Sequence, residues 1–99
     1  MIMKIRILQS AKTDLAEGYC FYESQASGIG IYFLESIYSD IDSLKLFAGV
    51  HPKFLGNYYR MLSKRFPFAI YYRVDNDEIG IYAVLDCRRN PAWIKKKLH

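Results

Sequence analysis

The chain has 99 residues, of which 52% are hydrophobic and 24% are charged, and its formal net charge is +4. This length is typical of one domain with a single hydrophobic core, and the composition excludes a globally disordered chain. No apolar run approaches the ~18 residues of a membrane span, and no signal-peptide pattern opens the sequence. We therefore expect a single domain over residues 1–99 that is cytoplasmic and has no membrane partner.

The charges are unevenly distributed along the chain. Residues 10–50 hold two basic and six acidic side chains, whereas residues 53–73 hold five basic side chains and no acidic one. Residues 86–99 add five basic side chains against one acidic side chain. A basic second half favours a nucleic acid or an acidic protein as partner. A solvated surface of mixed charge is the alternative interpretation.

The first predicted elements are a short strand and a helix. Residues 2–8 alternate apolar and basic side chains, which is typical of a strand. Ser10 is then expected to be the N-cap of an amphipathic helix of about three turns. The apolar side of this helix consists of Ala11, Leu15, Tyr19 and Tyr22.

A second helix is predicted after a break at residues 24–30. Its apolar stripe consists of Leu34, Ile37, Ile41 and Leu44, with Phe33 and Tyr38 beside it and Glu35, Asp40 and Asp42 on the expected wet face. The short link indicates an antiparallel helical hairpin. Gly28 and Gly30 are interpreted as a helix boundary rather than a phosphate loop, because they follow a helix and lack the Lys-Ser/Thr of that motif.

The second half of the chain has the patterns of an antiparallel meander. Residues 47–56 form a loop in which His51 is expected to be a surface residue, and residues 57–65 are a third strand candidate. Two alternating runs then flank Asp75-Asn76-Asp77-Glu78, which indicates a β-hairpin. Its predicted inner set consists of Phe68, Ile70, Tyr72, Val74, Ile79, Ile81, Ala83 and Leu85.

The other face of this hairpin is the predicted location of function. It would carry Tyr71, Arg73 and Tyr82, which are aromatic and basic, on the solvent side of the sheet. After it, Asn90-Pro91 predicts an N-cap followed by proline at the first helical position. A short basic helix with Lys95, Lys96 and Lys97 should follow, docked by Trp93 and Ile94. We predict no metal and no cofactor, since Cys20 and Cys87 lack metal-ligand spacing.

In its motifs and their order, nearly the whole chain resembles the RelE/ParE superfamily of bacterial toxins. The matching segments are Ala11-Lys12-Thr13-Asp14-Leu15, Tyr22-Glu23-Ser24-Gln25, Gly28-Ile29-Gly30 with Phe33-Leu34, residues 66–72, Ala83-Val84-Leu85, and Arg88-Arg89-Asn90-Pro91 with Trp93. The implied fold class is α+β: an N-terminal strand, an antiparallel helical hairpin packed on a small antiparallel sheet, and a short C-terminal basic helix. Asp86 stands where the family often has His, and Asn90 where it often has Asp.

The superfamily resemblance implies two activities. RelE-type members are ribosome-dependent mRNA endoribonucleases that need proton transfer and oxyanion stabilisation. Here Ala69 stands where that subgroup places an arginine, and terminal His99 is the one Tyr or His near the C-terminus. The ending Arg88-Arg89-Asn90-Pro91-x-Trp93 is more similar to the ParE-type subgroup, whose members bind DNA gyrase and have no catalytic set.

These resemblances lead to the following expectations. The protein is predicted to be a ParE-like toxin of a type II toxin–antitoxin pair that inhibits DNA gyrase or a related topoisomerase by binding and is neutralised by a cognate antitoxin. A homodimer is a further possibility. The predicted target-binding residues are Arg60, Tyr71, Arg73, Tyr82, Arg88, Arg89 and Trp93. The alternatives are an mRNA endoribonuclease acting at the ribosome, with Arg60, Lys64, Arg65 and Arg73 as phosphate clamps, and a non-toxic member that only binds a partner.

Overall fold

The computed structural model describes residues 3–98, so the predictions for Ile2 and His99 lie outside the described residues. A four-stranded sheet has a helical hairpin on one face and a short C-terminal helix on the other. The elements in chain order are β1 (Lys4–Ile7), α1 (Gln9–Gln25), α2 (Ile29–Asp42), α3 (Leu44–Phe47), β2 (Tyr59–Leu62), β3 (Phe68–Asp75), β4 (Glu78–Asp86) and α4 (Pro91–Lys97). The predicted α+β class and order of elements are confirmed.

The strand order in the sheet is β1-β4-β3-β2. The pairs β2–β3 and β3–β4 are antiparallel as predicted, but β1 pairs with β4 in the parallel direction, from Lys4 opposite Glu78 to Ile7 opposite Ile81. The sheet is therefore mixed. Alternation of side chains identifies a strand and its faces, but it contains no information on the direction of the neighbouring strand.

The first core lies between the sheet and the α1–α2 hairpin. Side chains from both helices, from the start of α3 and from β3 and β4 are buried there: Ala11, Leu15, Phe33, Ile37, Ile41, Leu44, Phe68, Ile70, Tyr72, Ile79, Ile81 and Val84. The prediction that Asp40 lies on the wet face is wrong, because its side chain is buried and accepts a hydrogen bond from the Lys64 backbone N–H at 3.4 Å. The helix α1 is also longer than expected, at 17 residues.

The link between α1 and α2 is a helix boundary, as predicted. Gly28 has φ of 91°, a left-handed conformation that glycine adopts without steric cost, and α2 begins directly after it. The carboxylate of Glu23 accepts hydrogen bonds from the backbone N–H groups of Gly28 and Gly30 at 2.9 to 3.1 Å. The last turn of α1 therefore satisfies free donors at the start of α2.

A β-bulge at Tyr82 changes which side chains of β4 face each core. Tyr71 lies opposite Ala83 but Tyr72 lies opposite Ile81, so β4 has one extra residue between them. The prediction that Ala83 and Leu85 share a face with Ile79 and Ile81 is therefore wrong. An extra residue shifts a period-two pattern by one position, so every side chain beyond it faces the other way.

Helix α1 provides the hydrogen bonds that hold this bulge. The Ser10 hydroxyl donates to the Tyr82 carbonyl oxygen at 2.7 Å, and Asp14 accepts from the Val84 N–H at 3.0 Å. Ser10 is consequently not the predicted N-cap: the cap position is Leu8, whose side chain makes no capping bond. The two polar side chains, one turn apart on α1, instead anchor the helix to the sheet.

The opposite face of the sheet holds a second core. Its buried members are Ala69, Tyr71, Ala83, Leu85, Ile94 and Leu98, with Phe54, Leu55, Tyr58, Cys87 and Trp93 packed around them. Helix α4 begins as predicted, since the Asn90 side chain accepts a hydrogen bond from the Ala92 N–H at 2.7 Å and Pro91 follows the cap. Among residues 3–98, none of the helices has the length and apolar character to cross a bilayer.

Candidate partner-binding surfaces

The seven predicted target-binding residues do not form one continuous surface. The second core separates them into three places: Arg73 and Tyr82 towards the β3–β4 turn, Arg88, Arg89 and Trp93 at the β4–α4 junction, and Arg60 on edge strand β2 with Tyr71 beside it. Alternation along β3 and β4 predicts that this face is exposed, because its residues alternate with the predicted inner set. The prediction missed that α4 and residues 54–58 fold back over that face.

Tyr71 is fully buried, so the prediction that it faces outward is wrong. Its ring packs edge-on against Phe54 with ring centres 5.5 Å apart. The Tyr71 hydroxyl makes no hydrogen bond of good geometry within the described residues, although the Arg60 guanidinium lies beside it. Burial raises the pKa of this phenol, while the charge of Arg60 and its contact with the hydroxyl oppose the rise. Tyr71 is therefore a core residue that no partner reaches in this conformation.

The β4–α4 junction presents two arginines in different environments. Arg88 forms two hydrogen bonds with the Asp86 carboxylate, from Nε at 3.0 Å and from Nη2 at 2.7 Å. These bonds hold the pKa of Asp86 below its usual range. Asp86 therefore offsets the charge of Arg88 and fixes the direction of its side chain.

Arg89 is instead associated with an aromatic ring. Its guanidinium carbon lies 4.1 Å from the centre of the Trp93 ring, and the Lys97 ammonium lies 5.4 Å from the same centre. Trp93 is half-buried. Its ring contacts one cation that precedes α4, Arg89, and one at the end of α4, Lys97. Cation–π contacts of this kind hold a charge in a defined position while leaving it accessible. We call Arg88, Arg89, Trp93 and Lys97 the basic arm.

A cleft of about 490 Å³ runs beside the basic arm between α1 and α4. Its lining includes Asp14 and Glu17 from α1 and Arg89, Trp93 and Lys97 from the arm. Burial is the largest influence on Asp14 and raises its pKa to about 6. Acidic side chains of α1 therefore border the basic arm on one side of the cleft. The positive potential of the arm is strongest on the side away from α1.

Arg73 and Tyr82 lie together towards the β3–β4 turn. The Arg73 guanidinium carbon is 5.7 Å from the centre of the Tyr82 ring and 5.9 Å from that of Tyr58, and the two rings pack edge-on. The Tyr58 hydroxyl donates to the Leu98 carbonyl oxygen at 3.1 Å. This aromatic and basic pair is thereby tied to the end of α4, although it is separate from the basic arm.

Near β2, the structure reveals a polar cluster that sequence analysis treated as an ordinary loop. The Tyr72 hydroxyl accepts a hydrogen bond from the Gly49 N–H at 3.0 Å and also contacts Nδ1 of His51. We assign the hydroxyl as the donor to Nδ1, which places the proton of a neutral His51 ring on Nε2. Burial lowers the pKa of His51, in agreement with a neutral ring. His51 and Tyr72 are 21 residues apart and belong to no common periodic pattern, so the sequence does not predict this contact.

A broad groove of about 1150 Å³ lies on the opposite side of the molecule, between β1 and α2. Its apolar wall includes Ile5, Ile7, Ile31, Leu34 and Tyr38. β1 is an edge strand, so its outer backbone groups face this side without a neighbouring strand. An apolar groove beside an open strand edge is a typical site for an added peptide segment.

These features define a small α+β protein with a basic arm at one end of its sheet and an open groove at one edge. Among solved structures, one chain of the "Chromosomal ParDE TA system from P. aeruginosa" is similar, with a TM-score of 0.77 and 21% sequence identity. The match covers 84% of this chain and 94% of that chain. No family model and no curated protein matches the sequence. The structural similarity confirms the ParE-like fold that the sequence motifs predicted.

Proposed function

We propose that the protein is the toxin of a type II toxin–antitoxin pair, that it inhibits DNA gyrase or a related topoisomerase by binding, and that it is not an enzyme. The proposal is supported by the shared fold with a chain of a ParDE system and by the ParE-like ending of the sequence. The proposed contacts are Arg73, Tyr82, Arg88, Arg89 and Trp93. Arg60 lies on the edge strand β2. We propose it as a peripheral contact, which a target reaches only if it extends across the sheet.

The observation that carries this proposal is the geometry of the basic arm. Arg88 is exposed and oriented by Asp86, and Arg89 is held on Trp93, so two cations project beyond the end of β4. Arginine and tryptophan in such preorganised positions are the residues most often responsible for binding energy at interfaces. A complex of gyrase with cleaved DNA offers phosphate groups and acidic protein surface to which such an arm is complementary.

The position of Ala69 argues against the alternative endoribonuclease activity. In the RelE-type resemblance, an arginine occupies this position, whereas Ala69 here is fully buried within the second core beside Ile94 and Leu98. An arginine side chain there would need α4 to move away. We therefore assign the remaining strand arginines to binding rather than to phosphate chemistry.

We also propose that the cognate antitoxin occupies the groove between β1 and α2. An extended segment can pair with the open edge of β1 and place apolar side chains against Ile31 and Leu34. This groove is separate from the basic arm, with no lining residue in common. An Ile31→Asp variant should therefore still arrest growth but escape rescue by a coexpressed antitoxin. Rescue equal to that of the wild type would place the antitoxin elsewhere.

Induced expression in a bacterial host tests the proposed target. Growth, the DNA-damage response and mRNA integrity should be followed together after induction. Filamentation with a damage response and intact mRNA is the expected result, and Arg88→Ala/Arg89→Ala should relieve it. Rapid arrest with mRNA cut at defined codon positions would instead identify the endoribonuclease, and an absence of any phenotype would identify a non-toxic binding protein.

A further inference from the structure

Large apolar side chains are exposed together where α3 and the loop after it meet β2. The exposed fractions are 83% for Leu46, 53% for Phe47, 72% for Val50 and 58% for Leu62. Phe47, Val50 and Leu62 line one groove of about 300 Å³, and Leu62 also lines an adjoining groove of about 350 Å³. An exposed group of apolar side chains of this kind marks an interaction surface.

His51 lies where these two grooves meet, since it lines both of them. The Tyr72 hydroxyl fixes its Nδ1, so the free donor of the ring is Nε2–H. We call the two grooves together the β2-edge surface; its residues are Phe47, Val50, His51, Arg60, Leu62 and Lys64. It lies at the sheet edge opposite to β1 and is distinct from the basic arm.

The backbone of β2 is already partly covered on its outer side. The Arg60 N–H donates to the Pro52 carbonyl oxygen at 2.9 Å, and the Phe54 N–H donates to the Tyr58 carbonyl oxygen at 2.7 Å. Residues 52–54 therefore occupy the first half of this edge, and little backbone is available for an added strand. A partner would be recognised here by side chains in the grooves.

The charges around the grooves are mostly positive. Lys53, Arg60 and Lys64 line them; Asp40 also lines one groove, but its side chain is buried and accepts a hydrogen bond from the Lys64 backbone N–H. Arg60 lines one groove, while its Nε atom is buried and its guanidinium lies beside the Tyr71 hydroxyl.

We propose that the β2-edge surface binds an acidic amphipathic segment of a protein partner. Apolar side chains of that segment fill the two grooves, and its carboxylates contact Lys53, Arg60, Lys64 and the His51 Nε2–H. A protein is favoured over a nucleic acid because the two most exposed apolar residues of the grooves, Val50 at 72% and Leu62 at 58%, are aliphatic and offer no ring on which a base can stack. The inference holds whether or not the protein inhibits a topoisomerase.

The test is selection of a random-peptide display library on the folded 99-residue chain. Binders are then compared on Val50→Asp/Leu62→Asp, which removes the apolar grooves, and on Lys53→Glu/Lys64→Glu, which reverses the rim charge. The controls are Tyr32→Asp and Lys96→Glu, which place the same kinds of charge at exposed positions outside the two grooves. Thermal unfolding confirms that each variant is folded, which is expected because all six side chains are exposed.

The expected result is a class of peptides rich in Asp and Glu with interspersed apolar residues. Their affinity should fall about tenfold or more on each double variant and less than about twofold on the controls. The proposal is wrong if no such class emerges, or if the binders are lost on the controls as well. It is also wrong if a single-stranded oligonucleotide binds the chain more tightly than these peptides and is lost on Val50→Asp/Leu62→Asp.

Discussion

Asp86 binds the guanidinium of Arg88 through both of its carboxylate oxygens, at 3.0 and 2.7 Å. The next residue, Arg89, has no such carboxylate partner within the described part of the chain and lies instead on the ring of Trp93. Two adjacent arginines of the basic arm therefore differ in the charge that they offer to a partner. A partner must compete with Asp86 for Arg88, whereas Arg89 is both oriented and available.

We predict that Arg89→Ala weakens inhibition of the target more than Arg88→Ala does. The loss should be about tenfold for Arg89→Ala and about threefold for Arg88→Ala, because Asp86 already offsets the charge of Arg88 and competes with a partner for it. The measurement is the protein concentration that halves topoisomerase activity. Lys96→Ala is the control for loss of one charge near the arm. Equal losses, or a larger loss for Arg88→Ala, would contradict this assignment.

The neighbouring tyrosines Tyr71 and Tyr72 are both fully buried but differ in hydrogen bonding. Tyr72→Phe removes the contacts with Gly49 and His51 and should lower the free energy of unfolding by about 1–3 kcal/mol. Tyr71→Phe removes a hydroxyl that makes no hydrogen bond of good geometry and lies beside Arg60, and should change it by less than about 0.5 kcal/mol, or increase it. Urea unfolding of the two variants measures both values. A larger cost for Tyr71→Phe would show that its hydroxyl is bonded.

Glu23 joins the two helices of the hairpin through its carboxylate. Glu23→Ala leaves the N–H groups of Gly28 and Gly30 without their acceptor and should cost about 1–2 kcal/mol of stability. Glu35→Ala, an exposed change of the same type on α2, should cost less than about 0.5 kcal/mol. Thermal and chemical unfolding compare the two. If both variants are equally stable, the capping bond contributes nothing measurable.

The buried Asp14 carboxyl makes stability depend on pH. Its pKa is raised from 3.8 to about 6, so the folded state binds a proton more tightly than the unfolded state. This contribution is fully present below pH 3.8 and is lost as the pH rises through about 6. Asp14→Asn, which can still accept the Val84 N–H, should remove this fall in stability between those values.

Unfolding in urea at a series of pH values measures the slope for the wild type and for Asp14→Asn. Asp86 acts in the opposite direction, because its lowered pKa provides stability that is lost as the pH falls. The difference between the two chains isolates Asp14 from this background. Identical slopes would show that folding does not raise the pKa of the Asp14 carboxyl.

The elements of this fold that sequence analysis predicted are those with local signals. The Asn90-Pro91 start of α4, the glycine boundary at Gly28 and the turn after Asp75 each depend on residues next to one another in the chain. The order of strands and helices followed from periodicity, which is also local. The resemblance in motifs then supplied the fold that the ParDE-system chain confirms.

The errors arose where distant segments meet. The bulge at Tyr82 depends on Ser10 and Asp14, which are about 70 residues away in sequence. The alternation of side chains along β3 predicts that Tyr71 faces solvent, but α4 covers that face of the sheet. The surface at Val50 and Leu62 had no signal, because each residue alone is an ordinary apolar position.

The most direct test of the proposed inhibition uses purified DNA gyrase, plasmid DNA and the purified chain. We predict that the wild-type chain inhibits supercoiling and that the complex of gyrase with cleaved DNA accumulates. The Arg88→Ala/Arg89→Ala variant should largely lose both effects. Intact supercoiling activity at every soluble concentration of the wild-type chain would contradict this prediction.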